Sequence, residues 1–87
     1  MYLHLGQGIV VPHRDVLGVF DLDNTSASRV TRAFLERAER EGRVVNASGD
    51  LPKSFVLCRP PGGGDTVYLS QLSSATLLRR AEGNSFE

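Results

Sequence analysis

Eighty-seven residues are enough for one small domain and too few for two. Ten basic and ten acidic side chains cancel, which excludes a strongly electrostatic partner for the chain as a whole while leaving room for a local basic patch. The single cysteine, Cys58, excludes an internal disulfide and a cysteine-built zinc cluster, and the lack of a leader or long apolar run leads to the expectation of a cytoplasmic protein.

"MYLHLG" alternates Leu3 and Leu5 with Tyr2 and His4, which predicts a strand, and Gly6 and Gly8 then predict a tight turn. "IVV" at 9–11 is a short apolar run ended by Pro12 and the polar loop His13-Arg14-Asp15. "VLGVFDL" at 16–22 reads as a third strand with Val16, Phe20 and Leu22 on one face and Leu17 and Val19 on the other, so it is expected to be buried on both.

The segment "NTSASRVTRAFLERAEREG" predicts the long helix. Asn24, Thr25 or Ser26 caps it, and Asp21 and Asp23 stand where the helix dipole favours negative charge. Ala27, Val30, Phe34 and Ala38 share the inward face with Leu35 on its flank, and Gly42 stops it. Arg32–Glu36, Glu36–Arg40 and Arg37–Glu41 are spaced to pair on the outer surface.

"RVVNAS", "SFVLC" (54–58) and "TVYLS" (66–70) supply three further strands, the last two separated by the hairpin loop "RPPGGGD". "LSSATLLRRAEG" closes the chain as a short helix with Ser73 or Ser74 as cap, Leu77, Leu78 and Ala81 inward, and Gly83 as stop. The expected architecture is a single α+β domain over residues 1–83, ordered βββαβββα, with a strongly curved, mostly antiparallel sheet, one long and one short helix, and a frayed tail at 84–87.

"VFDLDNTS" at 19–26 resembles the Asp-x-Asp-x-Thr motif of haloacid-dehalogenase-type phosphotransferases. That chemistry also needs a phosphate-binding cation, further metal carboxylates and a cover that excludes water. Asp50, Lys53 and Asp65 are the only later candidates, all in short turns, so the two aspartates are read as neutralising a helix start and no enzyme is expected. Gly6-x-Gly8 opens no helix, and Gly62-Gly63-Gly64 precedes a strand without a phosphate lysine; neither is a nucleotide loop. His4, His13 and Cys58 lack short-range ligand spacing, so no metal and no cofactor is expected.

The apolar residues exceed what two helices can hide. A single six-stranded surface would be about 25 Å wide, and a helix covers about 10 Å of it. The third and fifth strands are nevertheless apolar on both faces, with Phe55 and Leu57 opposing Val56 and Cys58. Each large side chain left wet forgoes about 1.5–3 kcal/mol. Either the sheet curls over itself or a second copy covers it, and self-assembly through sheet edges and the exposed face is expected.

Taken together, "MYLHLG", "DVLGVFDLD", "TSASRVTRAFLERAEREGRVVNASGDLPKSFVLC" and "VYLSQLSSATLLRR" resemble, in collinear order, the RemA/RemB family of bacterial extracellular-matrix regulators, and its RemB branch most closely. The resemblance implies a cytoplasmic regulator of biofilm-matrix genes. For the RemA branch it implies a LytTR-like fold, ring-shaped homo-oligomers and double-stranded DNA bound by the ring. In RemA-like chains the DNA-contacting arginines occupy the loop after the second strand and the turn before the fifth. Here those loops are "PHRD" and "SGDLPKS"; they offer Arg14 and Lys53 at shifted positions, with Asp15 beside the first and Leu51 and Pro52 where paired arginines would fall. Arg14 and Lys53 are the leading candidates for phosphate contact, with Arg43, Arg59, Arg79 and Arg80 behind them. The alternative is an interaction module that shares the assembly, binds no DNA itself and co-assembles with a more basic relative. No membrane partner is expected.

Overall fold

The computed structural model describes residues 1–22 and 28–83. The first two strands, β1 (Tyr2–Gly6) and β2 (Ile9–Pro12), pair with each other as an antiparallel hairpin and, among the described residues, with no other strand. Its turn needs glycine at Gly6, where φ is +112° and a Cβ would stand 3.2 Å from the Ala47 carbonyl. A turn of 3-10 helix, His13–Asp15, leads into β3 (Val16–Asp21). The long helix α1 (Arg29–Arg40) precedes β4 (Val44–Ala47), β5 (Ser54–Cys58), β6 (Thr66–Ser70) and the last helix, α2 (Ser74–Gly83).

The remaining four strands form a second sheet in the order β3-β5-β6-β4. β5 runs antiparallel to both neighbours, with Phe20 opposite Phe55 and Phe55 opposite Leu69. β4 is parallel to β6, with Val44 opposite Val67. The α+β class and the element order agree with expectation; the single curved sheet does not. The six strands divide into a two-stranded and a four-stranded sheet, and the hairpin packs over one face of the larger one together with α2.

That division corrects the estimate of uncovered surface, because β1 and β2 act as cover rather than as width. On the hairpin side Leu3, Leu5, Val11, Ala47, Val56, Cys58 and Leu77 form one core. On the other side Ala38, Phe55 and Val67 form a second, with Phe34, Leu35, Leu57 and Leu69 packed around it. β5 is therefore covered on both faces within one copy.

The register of β3 differs from simple alternation. A bulge between Val16 and Gly18 turns Val16 to the same side as Val19 and leaves Leu17 54% exposed. The proposed caps Asn24, Thr25 and Ser26, with Asp23 and Ala27, lie outside the described residues, as does the 84–87 tail. Within them Ser28 caps α1, its Oγ accepting from the Thr31 amide at 3.4 Å. The inward stripe is Thr31, Phe34, Leu35 and Ala38; Val30, expected inside, is 79% exposed. Gly42 follows the helix with φ +72°, as a stop in the left-handed region requires. On α2, Ser73 is the cap (Thr76 N–H to Oγ, 3.1 Å), and Leu78 is 46% exposed while Leu77 and Ala81 face the core.

A polar seam ties the layers where the hairpin turn meets the β4–β5 connection. Ser70 Oγ donates to the Leu5 carbonyl at 2.7 Å and accepts from the Leu72 amide at 3.1 Å, and Ser54 Oγ donates to the Leu72 carbonyl at 2.7 Å. Ser48 donates its amide to Asn46 Oδ1 and its hydroxyl to the Asp50 carbonyl. Each buried hydroxyl thus has a partner, as a low-dielectric interior demands.

Cys58 lies in the hairpin-side core near Asp15. Burial first and the Asp15 charge second push its thiol up from 9.0 to about 11. A thiol raised on folding contributes stability that is fully present below pH 9.0 and is lost as pH rises towards about 11. We expect the unfolding free energy measured in urea to fall through that window, by about 3 kcal/mol at most, and Cys58→Ala to remove the thiol's share. The native thiol should react with Ellman's reagent only on unfolding; a fast native reaction contradicts the burial.

Candidate nucleic-acid interface

Arg14 stands in the 3-10 turn that Pro12 initiates, on the approach to β3. Its side chain is 80% exposed and its Nε lies 3.9 Å from Asp15 Oδ1, too far for a hydrogen bond. The Asp15 carbonyl accepts the Arg59 amide at 2.8 Å, so the turn is fastened to the end of β5 and Arg14 projects from a fixed base.

Arg59 opens the glycine-rich loop and Asp65 closes it, joined by Nε to Oδ1 at 2.7 Å. The mutual hydrogen bond, with the opposite charges behind it, holds the Asp65 carboxyl below its ordinary range and raises the guanidinium. Arg43 reaches the same loop from the start of β4. Its Nη1 donates to the Asp65 carbonyl at 3.0 Å and its Nε to Glu41 Oε1 at 2.7 Å, and its side chain is only 25% exposed. Arg43 is a bracket between α1, β4 and the loop, and little of it is available to a ligand.

Strand direction places these three arginines together. Val16 pairs with Cys58, Cys58 with Thr66 and Val44 with Val67, so Arg14, Arg59 and Arg43 all lie beyond the same end of the four-stranded sheet. Lys53 lies beyond the other end, where Asp21 pairs with Ser54 and Ser54 with Ser70. Its backbone is stitched on both sides, donating to the Ser70 carbonyl at 2.8 Å and accepting from Leu22 at 3.0 Å, while its side chain is exposed. Residues 16–21 between the two ends span about 16 Å at the usual strand rise. Arg14 and Lys53, paired as candidates in the sequence, are thus not brought to one site within a copy. Arg79 and Arg80 are exposed on the last turns of α2 and form no ion pair among the described residues.

The sequence reading missed two features. Of the three spaced pairs on α1, only Arg37–Glu41 approaches, at 3.8 Å, so Arg32, Glu36 and Arg40 make no ion pair among the described residues. Asp65 serves two arginines; its position closing the loop that Arg59 opens was the one available signal. No group of three metal-binding side chains occurs among the described residues, and no helix among them is long and apolar enough to cross a membrane.

Comparison with known proteins sets this geometry in a family. Residues 2–81 match the RemA-like family, described as extracellular matrix regulatory protein A-like. The chain is 37% identical over 82 residues to the extracellular matrix regulatory protein B of Bacillus subtilis (strain 168), covering 94% of this chain and 91% of that protein. Asp21 of "FDLDNTS", the last residue of β3, accordingly belongs to a regulatory protein. The chain belongs to the RemA-like family of extracellular matrix regulatory proteins, a family of regulators and not of enzymes.

Proposed function

We propose that this protein is a self-assembling cytoplasmic regulator of transcription for biofilm-matrix genes, of LytTR-like fold, whose basic loops contact the DNA backbone. The observation that carries the reading is the 80% exposed Arg14 side chain on its fastened turn, with the 61% exposed Arg59 at the same end of the sheet. One or two such contacts are weak alone, and a homo-oligomer repeats them at fixed spacing, which raises the effective concentration of each after the first. Zero net charge makes that repetition necessary.

Mobility shift on matrix-gene promoter DNA across a salt series tests it. Retardation at about 50 mM salt should fade steeply, since each neutralised phosphate releases counterions. Arg14→Ala should flatten the slope by about one phosphate equivalent for each copy in contact. Lys53→Ala, altered at the opposite end, should flatten it less. Absence of any retardation at low salt overturns the DNA reading.

The second reading is an assembly module without DNA contact of its own, joined to a more basic relative. It is supported by the match of Asp15, Glu41 and Asp65 to the three arginines at that end. Retardation only when the basic relative is added identifies this case.

A further inference from the structure

The open end of the β1–β2 hairpin carries a cavity of about 270 Å³, lined by Met1, Tyr2, Pro12, His13 and Arg14. Tyr2 pairs with Pro12, so their side chains stand next to each other on the outer face of the hairpin. The His13 amide donates to the Met1 carbonyl at 3.1 Å and draws the following turn against them. The walls are therefore mostly apolar, the charged side chain is Arg14, and no acidic side chain lines the cavity.

Two polar groups here are short of partners within the chain. The Arg14 guanidinium makes no hydrogen bond among the described residues, with Asp15 Oδ1 at 3.9 Å from its Nε. His13 Nε2 is buried without a hydrogen-bond partner among them, while the buried hydroxyls of the serine seam are all paired. A guanidinium presents its N–H groups as a planar fork that fits phosphate or carboxylate oxygens. A tyrosine ring beside a proline ring offers a flat apolar wall to another ring. The volume lies just below the usual small-molecule range of about 300–1,000 Å³, which leaves room for one small molecule.

We propose that this cavity binds a small planar aromatic anion, one ring system carrying a single phosphate or carboxylate group. The anionic group takes the Arg14 fork, and the ring lies along Tyr2 and Pro12. A polar atom of the ligand meets His13 Nε2 once the half-buried imidazole turns about its side-chain torsions. The consequence of binding rests on the DNA reading proposed above. One guanidinium does not hold a ligand and a DNA phosphate together, so the two exclude each other at Arg14 and the site becomes a regulatory input.

Calorimetric titration of the full chain tests it. Adenosine monophosphate and para-hydroxybenzoate serve as ring-bearing anions, with adenosine and inorganic phosphate as the ring and the charge alone. At least one ring-bearing anion is expected to bind with Kd below about 1 mM, about tenfold more tightly than either control. The tighter of the two identifies phosphate or carboxylate as the anionic group. Tyr2→Ala and His13→Ala should each weaken binding about tenfold, and Arg14→Ala should abolish it, with circular dichroism checking each fold. Arg14 is exposed, so its variant decides the matter even where a hairpin variant unfolds. No binding of either anion at about 5 mM, equal binding of inorganic phosphate, or binding that any folded variant leaves unchanged overturns the site. Added to a retarded complex with matrix-gene promoter DNA, the bound anion is expected to release the DNA. No retardation at about 50 mM salt removes the DNA reading and the exclusion with it, while the titration still decides the site. Retardation that saturating anion leaves unchanged overturns the exclusion alone.

Discussion

Phe55→Ala is expected to lower the unfolding free energy by about 3–5 kcal/mol, a large share of the about 5–15 kcal/mol typical of a domain. Phe55 is 3% exposed on β5, between β3 and β6, and centres the core under α1. Its ring also stacks on Phe20 with centroids 4.9 Å apart and planes 20° from parallel. Truncation therefore removes a buried aromatic surface, opens a cavity and forfeits a ring contact worth about 0.5–1.5 kcal/mol. Urea unfolding checks it, the midpoint falling with little change of slope. Phe20→Ala should cost less than half as much, because that ring is 37% exposed. A loss below about 1 kcal/mol for Phe55→Ala would contradict the burial of this residue.

Leu77→Ala is the corresponding change on the hairpin side, with an expected loss of about 2–5 kcal/mol. Leu77 is fully buried and fixes α2 against Leu3, Leu5 and Val56, so it clamps a hairpin that makes no strand pairing with the main sheet. β5 contributes Val56 and Cys58 to this core and Phe55 to the other, which couples the two layers. The variant should therefore still unfold in one transition, with far-ultraviolet dichroism and amide exchange of the hairpin falling together. Early exchange of β1 and β2 while the four-stranded sheet stays protected would show instead that the hairpin is a separable layer.

The strands, both helices and the 59–65 loop were legible because period-two and helical spacing survive in this chain almost undisturbed. Faces were less legible. Alternation cannot reveal the bulge that turns Val16 and exposes Leu17, and Val30 and Leu78 fit helical spacing yet lie beyond the surface their helices cover. Sheet membership was not legible at all, since nothing in "MYLHLG" or "IVV" says whether those strands extend a sheet or lie across it. The candidate site suffered from the same gap. Arg14 and Lys53 were recognisable as loop cations, but only the antiparallel β3–β5 pairing shows them to be at opposite ends. Arg43 and Arg59 were recognisable as basic, but their shared attachment to Asp65 depends on β4 lying parallel to β6.

That pairing scheme carries a directional consequence. Edge strands β3 and β4 lie to left and right of the sheet, while strand termini lie above and below it. Copies added sideways would make an object with two chemically distinct faces, like a coin: guanidinium groups of Arg14 and Arg59 on heads, the ammonium group of Lys53 and the bare Leu51 on tails. A duplex resting on one face would leave the other open for a different visitor.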